Sequence, residues 1–385
     1  MSMDTCILCR GERVVEVKSK EFLLGVASDC RPWPRIGSWV VCEGCGHIQK
    51  KIDERWIEDI KKIYEFYEIY HLSGGCEQAI FVGDVRVPRT SVIIDKLRQI
   101  ADIGGMGRLL DIGCGNGSFL HNFGEKYPKW ELFGFDQGDK YREKILGIPN
   151  VVGFFRGSLD CISGSFDIVV MTYVIEHLID PVGDLKRIKR LLTPGGILFI
   201  QTSDFYENPF DMVITDHCSH FFVDTLVYSA ELADLKVISI CKGWIPKEIG
   251  IVVRALENDS EHKPPCAIEY SKGLARKSVA WLEGVKKHAQ SVADGRNMGI
   301  FGTAIAGTWL ANNLVGKVNC FVDEDPLKRG KGHMGLPVNS PSDVPAGLSV
   351  YIAFPPEMAR RLYSRLKIEY PHIDFIVPPE VEAVR

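Results

Sequence analysis

Four cysteines near the start of the chain have types and spacing that suit metal chemistry. Cys6 and Cys9 form one C-x2-C pair and Cys42 and Cys45 another, with residues 10–41 between them. Each pair presents two sulfurs from one tight turn, helped by Arg10-Gly11 and Gly46, and two pairs close the tetrahedron that Zn2+ prefers. All four positions are filled by thiolates, which leaves no place for water or substrate, so the expected role is structural. Cys30 has no partner at this spacing and stays outside the set. Twelve cysteines in 385 residues, behind a start (MSMDTCILCR) without an apolar leader, fit reduced thiols in a cytoplasmic protein.

A second cluster of chemistry lies in the middle of the chain. The apolar run Arg108-Leu109-Leu110-Asp111-Ile112 passes directly into Gly113-Cys114-Gly115-Asn116-Gly117, and Ser118-Phe119-Leu120 opens a helix. Glycines here let the backbone pass close under a ligand. The spacing differs from the G-x-G-x-x-G that cradles a pyrophosphate. Asp111 would repel a phosphate and suits a ligand whose head carries an ammonium group. The next strand, Trp130 to Phe135, ends at Asp136, an acid placed to accept the two hydroxyls of a ribose.

The elements that must hold these residues follow from periodicity. From about 89 to 255, short β-branched runs alternate with amphipathic stretches, which predicts a largely parallel sheet covered on both faces. The expected architecture is α/β, with a mostly parallel core over 76–255, a zinc-binding module and connector over 1–75, and a Rossmann-like α/β domain over 256–385. Residues 256–265 suggest a polar, proline-bearing linker, followed by a helix from about Ala267 to Gln290. Gly302 to Gly307-Thr308 suggests a phosphate loop but lacks its lysine, which excludes ATP hydrolysis. Beyond the strand Val318–Val322 and Asp323, the residues Lys328, Arg329 and Lys331 are candidates to neutralise a diphosphate. With 46 basic and 50 acidic residues the net charge is −4, which argues against a nucleic-acid or anionic-membrane partner. No apolar run reaches the ~20 residues of a membrane span, and nothing fixes an oligomeric state.

The acid-led glycine turn, Asp136, the strand Ser165–Val170, Val174-Ile175-Glu176-His177-Leu178 and Leu191-Leu192-Thr193-Pro194-Gly195-Gly196 together resemble the class I S-adenosylmethionine (SAM)-dependent methyltransferases. The resemblance implies SAM as cofactor, held by Asp111, Gly113, Gly115, Gly117 and Asp136. It places Ser158 or Asp160 near the adenine, and Glu176 and His177 facing the cofactor cleft. The order of parts is similar to that of the sugar C-methyltransferases, which methylate a carbon of a nucleotide-linked keto-deoxysugar. Asp216-His217-Cys218-Ser219-His220-Phe221-Phe222 resembles that family's Glu-His-x-Ser-Tyr-Phe segment, with Ile214-Thr215 where the family has Tyr-His. By this resemblance His217 is the base that forms an enolate, Asp216 orients or charge-stabilises its imidazole, and Tyr67 or Tyr70 holds the sugar. Two rivals remain: an O- or N-methyltransferase acting on a related sugar or small molecule, and a catalytically silent SAM-binding module that engages another protein.

Overall fold

The computed structural model describes residues 5–380 apart from 23, 69–70, 78, 83–84, 102, 257–263 and 266–267, and only the backbone of 71, 81–82 and 85–86. The central sheet has seven strands: β1 (Arg108–Ile112), β2 (Glu131–Asp136), β3 (Val151–Arg156), β4 (Phe166–Thr172), β5 (Leu192–Ser203), β6 (Leu235–Lys242) and β7 (Glu248–Ala255). Their spatial order is β3-β2-β1-β4-β5-β7-β6. The first five run parallel, and β7 returns antiparallel between β5 and β6. This is the mostly parallel α/β core expected from the alternating pattern.

Both faces of this sheet are buried because its strands alternate between two apolar sets. Leu109, Leu132, Ile168, Val170 and Phe199 pack against Ile93, Leu97, Phe119 and Phe123 of the helices Arg89–Ile100 and Ser118–Lys126. Leu110, Ile112, Val169, Met171 and Leu198 face Leu185, Ile188 and Leu226 of the helices Pro181–Lys189 and Val223–Glu231. β1 lies at the centre, with Asp111 opposite Gly134 of β2 and Val170 of β4. Strand order reverses there, and a crevice opens beyond the carboxyl end of β1.

The N-terminal strands Val14–Val17, Trp39–Cys42 and Ile48–Lys50 form an antiparallel sheet whose fourth strand is Ser219–His220, from the segment after β5. The cysteine-bearing region is thereby built into the core rather than tethered to it. In the C-terminal part, Met298–Phe301 lies between Val318–Val322 and Ser349–Ile352, all parallel, within a six-stranded sheet. The expected long helix runs Ile268–Ala293; it ends at Asp294-Gly295, where Gly295 takes a left-handed φ of 84°. Most of the expected linker lies outside the described residues. Leu274, Val279 and Leu282 of this helix share one apolar cluster with Phe22 and Trp39 of the N-terminal region and with Phe205 and Phe210 after β5. Among the described residues no helix is long and apolar enough to cross a membrane.

Candidate functional site

The two cysteine pairs meet. Sγ of Cys6 lies 3.6 Å from that of Cys45, and Sγ of Cys9 lies 3.5 Å from that of Cys42. Four sulfurs at Zn–S distances of about 2.3 Å stand about 3.8 Å apart in a tetrahedron, so the donor set suits zinc in size as well as in chemistry. Both turns are closed by the backbone, Arg10 N–H donating to Cys6 O and Gly46 N–H to Cys42 O. None of the four cysteines lines the large cleft described next.

That cleft, about 2650 Å3, lies between the carboxyl ends of the core strands and the C-terminal sheet. Its floor is the glycine turn. Gly113 and Gly117 have φ of 71° and 84°, and a Cβ on Gly113 would stand 2.3 Å from Cγ2 of Val174. Only glycine fits both the conformation and the space. Gly117 lies behind the surface, where a Cβ would meet Ile148 at 2.6 Å, whereas Gly113 and Gly115 line the cleft.

Asp111 is 2% exposed, and no hydrogen bond reaches its carboxylate from the described residues. Burial, reinforced by the charge of Asp136, pushes its pKa well above the ordinary range. A buried carboxylate without a donor is costly, and an ammonium in the adjoining cleft would satisfy it. Asp136 accepts from Gly115 N–H at 3.1 Å and Gly138 N–H at 3.2 Å. Burial raises its pKa, and these backbone donors work against that shift. These residues fit SAM. After β3, Ser158 lines the cleft, and its hydroxyl accepts from Asp160 N–H to cap the short turn Leu159–Cys161. Asp160 faces Arg187 at 3.6 Å instead.

The polar groups beyond the glycine turn come from several distant segments. Glu176, His177 and His217 bring their ligand-type atoms within 4.8 Å of one another. His177 and His217 line the cleft, with ring centroids 4.8 Å apart and planes at 88°. The expectation that Glu176 faces the cofactor is corrected. The turn Ile175–His177 after β4 points it inward, 1% exposed and off the cleft wall, and burial raises its pKa to about 7.

The hydrogen-bonding partner of His217 differs from expectation, although the charge of Asp216 does help to stabilise the imidazolium. Its Nδ1 lies 2.9 Å from Asp211, which also holds His220 Nδ1 at 2.6 Å. Asp216 is occupied elsewhere: Ser28 N–H donates to one of its oxygens at 2.8 Å and Ser28 Oγ to the other at 2.5 Å. The cause is backbone register, because Thr215 N–H donates to Val26 O and fixes this segment against the N-terminal region. Burial alone would lower the pKa of His217, but Asp211 outweighs it and raises the value to about 9. His177 moves the opposite way, to about 4, through burial and then the charge of His217. Its Nδ1 lies 3.0 Å from both Asp216 O and Tyr64 Oη; a carbonyl only accepts, so the tautomer that satisfies it carries the proton on Nδ1, with the tyrosine oxygen as a second acceptor, and keeps a lone pair on Nε2.

The helix Glu54–Glu65 ends before Tyr67, so Tyr64 and Tyr67 lie on different elements. Tyr64 Oη lies 3.0 Å from His177 Nδ1, Tyr67 Oη lies 3.4 Å from Ser28 Oγ, and Tyr70 is outside the described residues. The three basic residues expected at a diphosphate are all engaged. Lys328 pairs with Asp323 at 3.1 Å, Arg329 with Asp343 at 2.7 Å, and Lys331 donates to Leu72 O at 2.9 Å. Sequence reasoning missed Asp211 and Ser28, which carry no motif.

Residues 87–240 match the family described as a methyltransferase domain. Over 128 residues the chain is 24% identical to the trans-aconitate 2-methyltransferase of Acidovorax sp. (strain JS42), covering 32% of this chain and 49% of that protein. It is 26% identical over 168 residues to the tRNA U34 carboxymethyltransferase of Campylobacter jejuni (serotype O:23/36, strain 81-176), covering 40% of this chain and 54% of the relative. The chain spans about half the length of these curated relatives. Among solved structures, the mitomycin 7-O-methyltransferase MmcR superposes with a TM-score of 0.38 at 16% identity, over 44% of this chain and 53% of that one.

Proposed function

We propose that the protein is a SAM-dependent methyltransferase acting on a nucleotide-linked keto-deoxysugar, at carbon, with Zn2+ held structurally by Cys6, Cys9, Cys42 and Cys45. One observation carries the reading. The buried carboxylate of Asp111, which has no hydrogen-bond donor among the described residues, lies under a glycine turn that opens, with Asp136, onto the cleft lined by His177 and His217. The methyltransferase-domain match over 87–240 supports the reaction class. The sugar and its carbon rest on the resemblance of the whole chain to the sugar C-methyltransferases.

When bound, the cofactor supplies an electrophilic methyl group. The protein's part is acid–base and positional. The two histidines have pKa values driven apart, about 4 for His177 and about 9 for His217, which is how one site supplies both a base and an acid near neutrality. His177 Nε2, neutral, takes the proton from the carbon beside the ketone. His217, protonated, donates to the oxygen where enolate charge develops. This revises the expectation of His217 as the base, because Asp211 keeps it protonated. Ser28 and Asp216 fix the backbone carbonyl that sets the His177 tautomer, and Tyr64 supports the same ring.

The test is a two-part assay. Calorimetry should detect binding of SAM or its demethylated product, and labelled methyl should then appear on carbon in a panel of nucleotide-linked keto-sugars. Label on oxygen or nitrogen favours the heteroatom rival, and absence of cofactor binding by the folded protein overturns the methyltransferase reading.

A further inference from the structure

The basic residues first assigned to an anion are engaged elsewhere, yet the cleft holds another cation that is not. Lys247, on the turn between β6 and β7, lines the cleft, and no carboxylate lies within ion-pair distance of its ammonium among the described residues. Its neighbour Glu248 is engaged by Arg89 at 2.9 Å and by Gln201 at 2.7 Å. Elsewhere on the cleft wall Lys328 pairs with Asp323, Lys140 with Glu68 and Arg365 with Glu324. Lys61 is exposed on the outer helix Glu54–Glu65, whereas Lys247 is half-buried. Burial lowers its pKa, and the charge of neighbouring Glu248 only partly offsets the lost water.

Lys247 also holds a backbone conformation that its side chain does not favour. Its φ is 66°, in the left-handed region where glycine, asparagine or aspartate are the usual occupants, and Asp204 N–H fixes its carbonyl at 2.8 Å. Strain of this kind concentrates at ligand clamps. Its Nζ lies 5.5 Å from the ring centroid of Phe354, and that ring borders Gly302, where a Cβ would stand 3.1 Å from Cε2. Gly302 begins the turn into the helix Ile305–Asn313, and that turn lines the same cleft. The lysine therefore stands where the central sheet meets the C-terminal one.

We propose that Lys247 anchors an anionic group of the acceptor, of the phosphate or diphosphate class, at this junction. This deepens the reading above and rests on it for the acceptor's identity. A lone ammonium serves phosphate as a point charge, and the arginines of the cleft wall, which could grip either a phosphate or a carboxylate with two prongs, are already paired.

The full chain is titrated calorimetrically with pyrophosphate, inorganic phosphate and acetate, as wild type, Lys247→Gly and Lys247→Arg. Glycine accepts the left-handed backbone while removing the charge. Pyrophosphate is expected to bind the wild type, at least about tenfold more weakly to Lys247→Gly, and within a few-fold of wild type to Lys247→Arg. The demethylated cofactor should bind all three alike; its failure with the wild type would overturn the methyltransferase reading and leave the pyrophosphate result standing. Equal pyrophosphate binding with and without the ammonium, no binding to the wild type, or tighter binding of acetate would each overturn the anchor. A readout independent of any variant's folding is the Lys247 side-chain resonance in wild-type protein with 13C-labelled lysine. It should move on adding pyrophosphate, and an unmoved resonance also overturns the proposal.

Discussion

The two halves of the cleft are built by opposite strategies. The half proposed to hold the donor is local, since Asp111 to Gly117 is one continuous stretch at the end of β1 and Asp136 ends the neighbouring strand. The half proposed to hold the acceptor is assembled from afar. Ser28 reaches Asp216 across 188 positions, and Tyr64 reaches His177 across 113. A site made by one turn tolerates change elsewhere in the molecule. A site made by several segments depends on everything that fixes their register.

The sharpest way to separate the halves is at the histidines. His217→Ala should leave cofactor affinity unchanged by calorimetry while turnover falls by about 10²-fold or more, and full turnover would remove His217 from the chemistry. The converse is Gly113→Ala, which places a Cβ 2.3 Å from Val174 in a left-handed turn. It should weaken cofactor binding by about 10²-fold without altering acceptor affinity, and unchanged cofactor binding would contradict the turn's assignment. Next in size is Cys6→Ser with Cys9→Ser. It should release metal by elemental analysis and lower the melting temperature. Because Ile48–Lys50 pairs with Ser219–His220, it should also impair acceptor turnover more than cofactor binding. Equal losses of the two would erase the distinction between the halves.

A finer probe is the pH profile. Asp211 raises His217 to about 9 against the effect of burial, so kcat/KM should decline as pH rises through about 9. In Asp211→Asn the imidazolium loses its nearest counter-charge while Glu176 and Asp216 remain, its pKa falls, and that limb should move toward neutrality by about a unit, about what an adjacent opposite charge supplies. A group raised in the folded state adds stability below its ordinary value of about 6.5 and loses it as pH rises through the folded value. Thermal stability of the wild type should therefore decline over that interval by more than that of the variant. The smallest expected effect is Ser158→Ala. It removes a cap worth about 1 kcal/mol at an exposed turn, and cofactor affinity should change by no more than a few-fold.

How much of this was legible in the sequence follows from the same contrast. The glycine turn, the acid before it and the acid at the end of β2 are encoded by short spacing on predictable strands. The two C-x2-C pairs are likewise local, and they need only meet. Asp211 is six residues from His217, but nothing in Asn208-Pro209-Phe210-Asp211 marks it as the histidine's partner rather than Asp216. That choice is made when Thr215 bonds to Val26 and turns Asp216 toward Ser28. The basic cluster at 328–331 is engaged within the protein for a related reason. Composition shows its charges, but only the fold shows that Asp323, Asp343 and a main-chain carbonyl already hold them.

The borrowed fourth strand of the N-terminal sheet has a consequence for how the chain comes into being. His47 meets Ser219 across 172 positions, so on the ribosome the first sheet emerges with an unpaired border and waits for a distant segment to be translated. At about 5–20 residues per second that interval lasts on the order of ten seconds or more. During it, the strand Ile48–Lys50 keeps a border open, and an uncovered strand edge is a template on which another chain can pair.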